Sequence, residues 1–454
     1  MNKLTFKEKL GYGSASLGDV LTYNMISSYL LFFLTTAAGI RPAAAGVISI
    51  VGAVWNALFN PVMGFAADQV FTSRGRRRPV MFLFAIPLML SLFAIFTDVP
   101  LPSAVKPFYY GLILMTVWTC YTGFFVPYLA LGAAYTTDYE DRTVLRLYAS
   151  FFNTAGTFLS FMFPSMAVDF MTSYGLSLGH AWSIVGGSVG LITAVSIIIT
   201  VMVSGEKDPP CSRRTEHISL NLSEIFREYL SVARLKPMKH LIISSVSALI
   251  CYSMALSSIV YYLTYNMGLS GTSVSMTLAL RCVYGLILLP IISWLIQKLD
   301  KRGTLILFYA TGIIGMVAVR LTGVHSLVQC LFMMLMLTFT TFVYWSIMPS
   351  VYYDMCDYDL LATGKSRQAT IVSFQGLVEA AASGIGTLLL GVILQLAGFD
   401  GTASHQTACA ESWIANCLMV IPCIFLAISA AAIWRYPVTR QVHREITEKL
   451  NRKK

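Results

Sequence analysis

Two copies of one short pattern decide how this chain is organised: Phe33-Leu-Thr-Thr-Ala-Ala-Gly-Ile40 and Tyr262-Leu-Thr-Tyr-Asn-Met-Gly-Leu269. Each copy follows a long apolar run. A proline, Pro61 in the first copy and Pro290 in the second, then follows the glycine at the same distance, without a gap. A repeat of this kind predicts two structurally related halves.

Apolar runs long enough to cross a bilayer surround both copies. A helix needs about 20 apolar residues to span the hydrocarbon layer, and this chain is 56% hydrophobic and only 12% charged. The first run is too long for a signal peptide. The sequence therefore predicts an all-α membrane protein with twelve transmembrane helices in two six-helix pseudo-repeats. The predicted spans are 17–39, 44–67, 79–98, 106–133, 147–171, 182–204, 240–265, 272–297, 304–321, 326–352, 370–397 and 411–435.

Positive charge is concentrated in alternate loops. All but four of the 32 lysines and arginines lie on the side that holds the N-terminus. The positive-inside rule then places both termini in the cytoplasm. The net charge of +10 thus reflects orientation and gives no argument for nucleic acid as a partner. The predicted domains are an N-terminal bundle (1–204), a cytoplasmic linker (205–239), a C-terminal bundle (240–436) and a basic cytoplasmic tail (437–454).

A basic turn follows the second predicted span. Gly64-x-x-x-Asp68 leads into Arg74-Gly75-Arg76-Arg77-Arg78, and the second half repeats the turn as Lys301-Arg302-Gly303. Two parallel six-helix repeats with such turns are typical of major facilitator transporters. The first element resembles the cytoplasmic gating motif of that superfamily, which implies that Asp68 pairs with this turn. The alternative is a loop whose charge only sets orientation.

One branch of the superfamily matches most of the chain. The segment Trp55-Asn-Ala-Leu-Phe-Asn-Pro-Val-Met-Gly-Phe-Ala-Ala-Asp68 resembles the signature of the glycoside-pentoside-hexuronide:cation symporters, the melibiose permease family. The resemblance implies a central cavity, alternating access and sugar-like substrates. Further matching positions are Tyr12-Gly13, Tyr121-Thr122, Pro127, Trp345, Asp354-x-x-Asp357-Tyr358, Gly364, Arg367 and Gln375.

The cation site of that family has lost its charge in this chain. Where the family has two aspartates one helical turn apart, this sequence has Asn56 and Asn60. Residues at i and i+4 share a helix face, so the geometry is kept, but an amide neither neutralises an ion nor carries a proton. We therefore expect Na⁺-independent transport. Sugar-contacting charges of the family are also replaced, by Phe125, Ser150 and Ala380.

Three ionisable residues lie inside predicted spans near the expected cavity: Asp19, Arg281 and Glu379. A charge at mid-membrane costs at least about 2.5–3.5 kcal/mol, so such residues are functional hypotheses. We expect Arg281 to bind an anionic group of the substrate, while Asp19 or Glu379 carries a coupling proton. The alternative is a permanent ion pair between Arg281 and an acid.

Aromatic residues in the cavity-lining spans are candidates for stacking on a sugar ring, although most aromatics in membrane helices serve packing. The acidic end of the tenth span, with a following arginine, is expected to form an inner gate of salt bridges. The substrate candidates are Trp118, Tyr121, Tyr128, Tyr252 and Trp345, with Gln375 beside Glu379, and the gate candidates are Asp354, Asp357 and Arg367.

The cysteines and histidines help to decide whether the chain is an enzyme or a transporter. Nine scattered cysteines and six histidines form no zinc or catalytic motif, so no enzyme activity, metal or cofactor is expected. The sequence predicts a monomeric secondary transporter of the cell membrane that moves a sugar, glycoside or hexuronide-like solute, either proton-coupled or uncoupled. Its partners are the solute, H⁺ as coupling ion and membrane lipids. A lysolipid or amphipathic organic anion carrier and a non-transporting membrane sensor remain as alternatives.

Overall fold

The computed structural model describes residues 5–69, 77–134, 139–203, 222–364, 367–403 and 405–453. Every regular element in these ranges is a helix, which confirms the all-α prediction. A π-helical turn at Tyr262–Asn266 follows α8. The helices are α1 (Phe6–Thr36), α2 (Pro42–Gln69), α3 (Arg77–Ile95), α4 (Lys106–Ala134), α5 (Tyr139–Ser173), α6 (Leu178–Val203), α7 (Leu222–Ala233), α8 (Lys236–Tyr261), α9 (Gly271–Thr322), α10 (Leu327–Thr363), α11 (Gln368–Leu396), α12 (Ala408–Met419), α13 (Ile421–Trp434) and α14 (Arg440–Lys453).

Local sequence explains where key helices begin and end. Helix α1 starts at a capping box in which Thr5 and Glu8 bond to each other's backbone N–H groups. Helix α10 starts in the same way at Ser326 and Gln329. It ends at Gly364, whose φ of 70° is a left-handed conformation that glycine adopts without strain.

The long helices are apolar and expose large apolar side chains. Ten helices in the described residues are long and apolar enough to cross a membrane. Large apolar side chains on their surfaces are exposed, including Phe108 at 81% and Leu321 at 83%. Apolar surface on this scale requires a hydrocarbon environment. The chain is therefore a multi-pass membrane protein.

Helix α9 bends where the sequence predicts the turn between two spans. It covers both 272–297 and 304–321, and its helical geometry is interrupted at Asp300, with φ 69° and ψ 166°. A positive φ is uncommon outside glycine. The carboxylate of Asp300 compensates locally, because its Oδ1 accepts a hydrogen bond of 2.6 Å from the backbone nitrogen of Lys301.

The chain divides into two compact units. In the first, α1 packs against α5 and α6, α3 against α4 and α6, and α2 against α4. Helix α1 lies at the centre of these contacts, and most of its residues are buried. The first unit comprises Met1–Arg214, Val260–Cys282 and Leu388–Glu411, and the second comprises Thr215–Ile259, Val283–Thr387 and Ser412–Lys454.

The first unit includes helix ends from the second half of the sequence, at the side that the charge bias predicts to be outer. The Thr35 hydroxyl lies 2.7 Å from that of Tyr261. The backbone nitrogen of Ala43 donates to Oε1 of Gln395 over 3.1 Å. The ring of Phe32 meets that of Tyr261 edge-on at 5.1 Å. At this side, the ends of α1 and α2 are therefore joined to those of α8 and α11.

The second unit includes two short helices outside the predicted spans. The ring of Tyr229 on α7 contacts that of Phe374 on α11, with centroids 5.9 Å apart. Helix α14 packs along α10 and buries Ile446. The predicted linker and tail thus each contribute a helix that packs onto the end of a membrane helix.

Candidate functional site

An acidic side chain lies inside the first unit, on the central helix. Asp19 of α1 is half-buried, and its Oδ1 accepts a hydrogen bond of 2.6 Å from the hydroxyl of Tyr121 on α4. This length is typical of a hydroxyl that donates to an ionised carboxylate. Two residues that the sequence singled out on different helices are thus brought together at one point.

Aromatic rings continue from this contact along α4. The rings of Tyr121 and Phe125 are stacked, with centroids 5.4 Å apart and planes 14° from parallel. Trp118 meets Tyr121 edge-on at 5.4 Å, and Tyr23 of α1 meets Trp118 at 6.2 Å. The result is a cluster of aromatic rings beside a carboxylate, in which Trp118 and Tyr121 are each only 7% exposed. Carboxylates accept hydrogen bonds from hydroxyls and aromatic faces cover C–H faces, which are the contacts that a polyhydroxylated ring uses.

Tyr128 lies further along α4 in a closely packed setting. Its hydroxyl bonds to that of Ser16 over 2.7 Å, and its ring stacks on Tyr12 at 4.9 Å. Only 2% of its surface is exposed. Both its polar atom and its ring are engaged by neighbours, so its contacts here are those of packing, and its role with substrate stays a prediction.

The asparagine pair of α2 forms a hydrogen-bonded network with α4. Oδ1 of Asn56 accepts from the hydroxyl of Thr122 over 2.9 Å and from Nδ2 of Asn60 over 3.2 Å. The same nitrogen of Asn60 also donates to the backbone carbonyl of Asn56 over 2.8 Å. The two asparagines lie on one face of α2, as their spacing predicts, and Oδ1 of Asn56 accepts hydrogen bonds from neutral donors.

Arg281 belongs to the first unit although it lies in the second half of the sequence. Its guanidinium carbon lies 5.7 Å from the ring centroid of Phe161 on α5. A guanidinium over an aromatic face is stabilised by the ring quadrupole. The cation is therefore held by α5 within the same unit as Asp19. Phe161 was not identified from sequence, because no local signal links it to an arginine so distant in the chain.

The second unit contains a separate aromatic group. The Tyr252 ring meets that of Trp345 edge-on at 5.7 Å, and Tyr344 meets Trp345 at 5.5 Å. Nε1 of Trp345 is buried and has no hydrogen-bond partner in the described part of the chain. An indole N–H is a donor only. The role of Trp345 with substrate stays a prediction.

Gln375 and Glu379 lie on α11 in the same unit, and both are half-buried. Their spacing of four residues places them on one helix face. The pair combines an amide, which offers both donors and an acceptor, with a carboxylate that is able to take up a proton. Besides Asp19, Glu379 is the other acid that the sequence placed near the expected cavity.

The acidic end of α10 contacts a lysine and a histidine of its own unit. Nζ of Lys301 lies 2.6 Å from Oδ2 of Asp354, and Nε2 of His443 lies 3.0 Å from Oδ2 of Asp357. His443, on the tail helix α14, has no sequence signal for this role. Lys301 had one, since it lies in the repeated basic turn.

Arg367 pairs with an aspartate that is completely buried. Its Nε donates to Oδ2 of Asp359 over 2.9 Å, and Asp359 is 0% exposed. The same guanidinium donates to the hydroxyl of Ser231 on α7. The arginine expected at a gate therefore joins α10 to the linker helix. Of the other gate candidates, Arg74, Arg76 and the side chain of Asp68 lie outside the described residues, and Arg77 begins α3.

Known proteins resemble this chain along nearly its whole length. A family model described as MFS/sugar transport protein matches residues 11–440. The glucuronide carrier protein homolog of Escherichia coli (strain K12) is 24% identical, covering 100% of this chain and 97% of the relative. The isoprimeverose transporter of Lactiplantibacillus pentosus is also 24% identical, covering 97% of this chain and 90% of the relative.

Solved structures agree in fold. A bacterial homolog of the human lysosomal transporter Spinster, crystallised in an inward-facing and occupied conformation, superimposes with a TM-score of 0.72. It is 13% identical, and the match covers 96% of this chain and 97% of that chain. At this identity the likeness shows the fold alone.

Proposed function

Because the chain belongs to the MFS/sugar transport protein family, in its glycoside-pentoside-hexuronide:cation symporter branch, we propose that it carries a hexuronide-like or glycosidic solute together with a proton. The chain is a secondary transporter and not an enzyme. The observation that carries the proposal is the Asp19–Tyr121 hydrogen bond beside the aromatic cluster of α4. Aromatic rings and a carboxylate together support the proposal of a sugar-like solute, and the carboxylate is a group able to hold a proton.

The proposed topology has twelve transmembrane helices. Helix α9 counts as two spans, because its helical geometry is interrupted at Asp300. Helix α5 is added to the ten helices that are long and apolar enough to cross a membrane. With α12 and α13 forming one span, the sum is two halves of six. The loop charges favour a cytoplasmic location for both termini. On this topology the joined ends near Thr35 and Tyr261 are outer ends.

Arg281 is proposed to recognise an acidic group on the solute. A carboxylate bound by a guanidinium gains a charge-assisted and often bidentate hydrogen bond. The guanidinium of Arg281 lies over the ring of Phe161 on α5, in the same unit as Asp19. A uronide has both a carboxylate and a hydroxylated ring. Arg281 would bind the carboxylate, and Asp19 with the aromatic rings of α4, in the same unit, would bind the hydroxylated ring.

The coupling ion is proposed to be a proton. Oδ1 of Asn56 already accepts hydrogen bonds from Asn60 and Thr122. Neither asparagine has a negative charge to offset that of Na⁺. Oxygen ligands for hard cations are usually carboxylates, carbonyls and waters together. Asp19 and Glu379 are the acidic groups singled out near the expected cavity, and either is able to carry a proton through the cycle.

Uptake by proteoliposomes tests the proposal. Purified protein is first screened by thermal shift against glucuronides, neutral glycosides, simple sugars and lysolipids, because a ligand raises apparent stability by mass action. The stabilising solute is then offered in labelled form with an inward proton gradient. Accumulation of a glucuronide is the expected result. Binding without accumulation would indicate a sensor, and stabilisation by lysolipid alone would indicate a lipid carrier.

Arg281→Ala separates an anionic from a neutral substrate. Loss of the guanidinium is expected to lower glucuronide affinity by about tenfold to a hundredfold while leaving neutral glycosides within about threefold. Arg320→Ala is the matched control, since this arginine also lies in a predicted span of α9 but bonds to Asn416 and Ser412. Unchanged glucuronide transport by Arg281→Ala would make Arg281 part of a structural ion pair.

A further inference from the structure

The aromatic ring that faces Arg281 belongs to a helix with an internal proline. Pro164 lies inside α5, three residues after Phe161, whose ring centroid is 5.7 Å from the guanidinium carbon of Arg281. A proline inside a helix has no N–H to donate, and its ring crowds the preceding turn, so helices bend or loosen at such a residue. The position of the Phe161 ring therefore depends on the contacts that surround this turn.

Side chains from two other helices bond to the backbone of α5 on both sides of Pro164. The hydroxyl of Tyr29 on α1 donates to the carbonyl oxygen of Phe161 over 3.2 Å. The hydroxyl of Ser275 on α9 accepts from the backbone nitrogen of Met166 over 2.8 Å. Tyr29 and Ser275 are both completely buried, and hydrogen bonds are stronger where the local dielectric constant is low. These two bonds hold α5 in place at the turn that bears Phe161.

Helix α9 lies along this part of α5 in the opposite direction. At one end of the contact, Oδ2 of Asp169 accepts a hydrogen bond of 3.0 Å from the backbone nitrogen of Thr272. At the other end, Arg281 lies over the ring of Phe161. The two ends are nine residues apart on α9, from 272 to 281, and eight apart on α5, from 161 to 169, which is about 12–14 Å on each helix. The antiparallel packing of the two helices therefore brings Arg281 to Phe161.

The guanidinium is shielded from solvent where it meets the ring. Its Nε and Nη1 atoms are buried, and Phe161 is only 5% exposed. The attraction between a cation and an aromatic face is small at exposed sites and larger when the pair is desolvated. Because a phenyl ring has no net charge, this contact restrains the guanidinium without neutralising it.

We propose that Phe161 is a positioning residue for solute recognition: its ring, held in place through Tyr29 and Ser275, fixes the guanidinium of Arg281 in the orientation that binds an acidic group of the solute. The proposal rests on the proposed function, in which Arg281 binds that group. Without the ring, the guanidinium has more rotamers available, and the binding of an acidic solute then costs additional side-chain entropy. Selectivity for an anionic over a neutral solute thus depends on a residue that acts through Arg281.

Replacement of the ring tests this role. Phe161→Leu removes the aromatic face and keeps an apolar side chain. It is expected to raise the KM for a glucuronide by about threefold to tenfold, while kcat and the KM for a neutral glycoside stay within about twofold of wild type. Phe161→Tyr keeps the aromatic face and should have a glucuronide KM within about twofold of wild type. A structural defect affects both solutes, so equal changes in the two KM values would overturn the positioning role.

Phe158→Leu is the matched control. Phe158 lies nearly one turn earlier on α5, and 41% of its surface is exposed, so its replacement should leave both KM values within about twofold of wild type. Where Phe161→Leu does not give folded protein, Phe161→Met takes its place, because an unbranched side chain adapts to the space left by the ring.

A double variant shows whether Phe161 acts through Arg281. If it does, Phe161→Leu added to Arg281→Ala should leave the glucuronide KM within about twofold of that of Arg281→Ala alone. A further rise as large as the one that Phe161→Leu causes in wild type would show that the ring acts independently of the guanidinium, and would overturn the proposal.

Thermal unfolding tests the contact without any solute. Phe161→Leu, Arg281→Leu and the double variant are compared with wild type in the same detergent. If the ring and the guanidinium attract each other, the Tm of the double variant should lie at least about 1 °C above the value that the sum of the single shifts gives. Additive shifts would overturn the proposal whatever the solute is. Non-additive shifts in a protein that neither binds nor transports a glucuronide would refute the proposed function, and with it the role of Phe161 in recognition, while the contact itself stands.

Discussion

The carboxylate of Asp169 on α5 accepts two hydrogen bonds from Thr272 in the first turn of α9. Its Oδ2 lies 3.0 Å from the backbone nitrogen and 2.8 Å from the hydroxyl of that threonine. The first N–H groups of a helix have no partner within the helix, and the helix dipole favours a negative charge there. Asp169 thus ties the predicted outer end of α5 to a helix of the second half.

Removing this carboxylate is expected to loosen the outer ends. A hydrogen bond to a charged group contributes about 1.5–3 kcal/mol, so Asp169→Ala should raise the population with separated outer ends by roughly tenfold or more. The measurement is the labelling rate of Thr35→Cys by a membrane-impermeant maleimide added from outside, in a background without the native exposed Cys409.

Asp98→Ala is the matched control for this experiment. Asp98 lies at the same predicted side, but its partner Lys106, 2.8 Å away, belongs to the same half. Labelling in that variant should stay near that of the parent protein. Equal labelling of Asp169→Ala and Asp98→Ala would show that the Asp169–Thr272 contact does not hold the outer ends together.

The approach of α2 to α11 gives a steric prediction at the same side. A Cβ at Gly391 would collide with the carbonyl oxygen of Pro42, whereas a Cβ at Gly376 on the same helix would meet nothing within 4 Å. Gly391→Ala should therefore disfavour the joined state and lower the transport rate by about fivefold to tenfold. Gly376→Ala should transport within about twofold of wild type. Initial uptake rates compare them, and similar rates for the two variants would contradict the steric argument.

Sequence alone predicted those features that depend on spacing along one helix. The helical class, the family and the shared face of Asn56 and Asn60 follow from periodicity and motif. The broken helix at Asp300 was predicted as a turn because the basic repeat interrupts an apolar run. These features are local, so a single sequence contains the information.

Partners across helices were not predictable in the same way. Asp19 and Tyr121 were both candidates, yet nothing in the sequence joined them. His443 was read as part of a basic tail, and its contact with Asp357 depends on how α14 packs. Such pairings depend on tertiary contacts between segments that lie far apart in the chain. The spacing of residues along one helix does not reveal them.

The neutral asparagine network gives a prediction on ions. Wild-type uptake at fixed pH should be the same within about twofold in Na⁺ and K⁺ buffers, because the Asn56 oxygen is already bonded to Thr122 and Asn60. Asn56→Asp combined with Asn60→Asp restores two carboxylates on one face and should create Na⁺ stimulation. Asn24→Asp, an amide bonded to Ser160 elsewhere in the unit, should not. Strong Na⁺ stimulation of the wild type would refute proton coupling.

The proton carrier is identified by separating uphill transport from exchange. A carrier carboxylate that is made permanently neutral prevents coupling to the gradient but still permits exchange of labelled for unlabelled solute, since exchange needs no net proton movement. Asp19→Asn keeps an oxygen that accepts the Tyr121 bond, so the site stays assembled. It should lose accumulation by about a hundredfold while counterflow falls no more than about fivefold.

Glu379→Gln and Tyr121→Phe complete this comparison. Glu379 is the other acidic candidate for the proton carrier, so the variant that loses accumulation and keeps counterflow identifies the carrier. Tyr121→Phe removes the 2.6 Å hydrogen bond without removing a carboxylate. It should raise the KM for solute and leave the proton dependence in place. Full gradient-driven accumulation by both Asp19→Asn and Glu379→Gln would exclude either acid as the carrier and leave facilitated diffusion or exchange as the mode of transport.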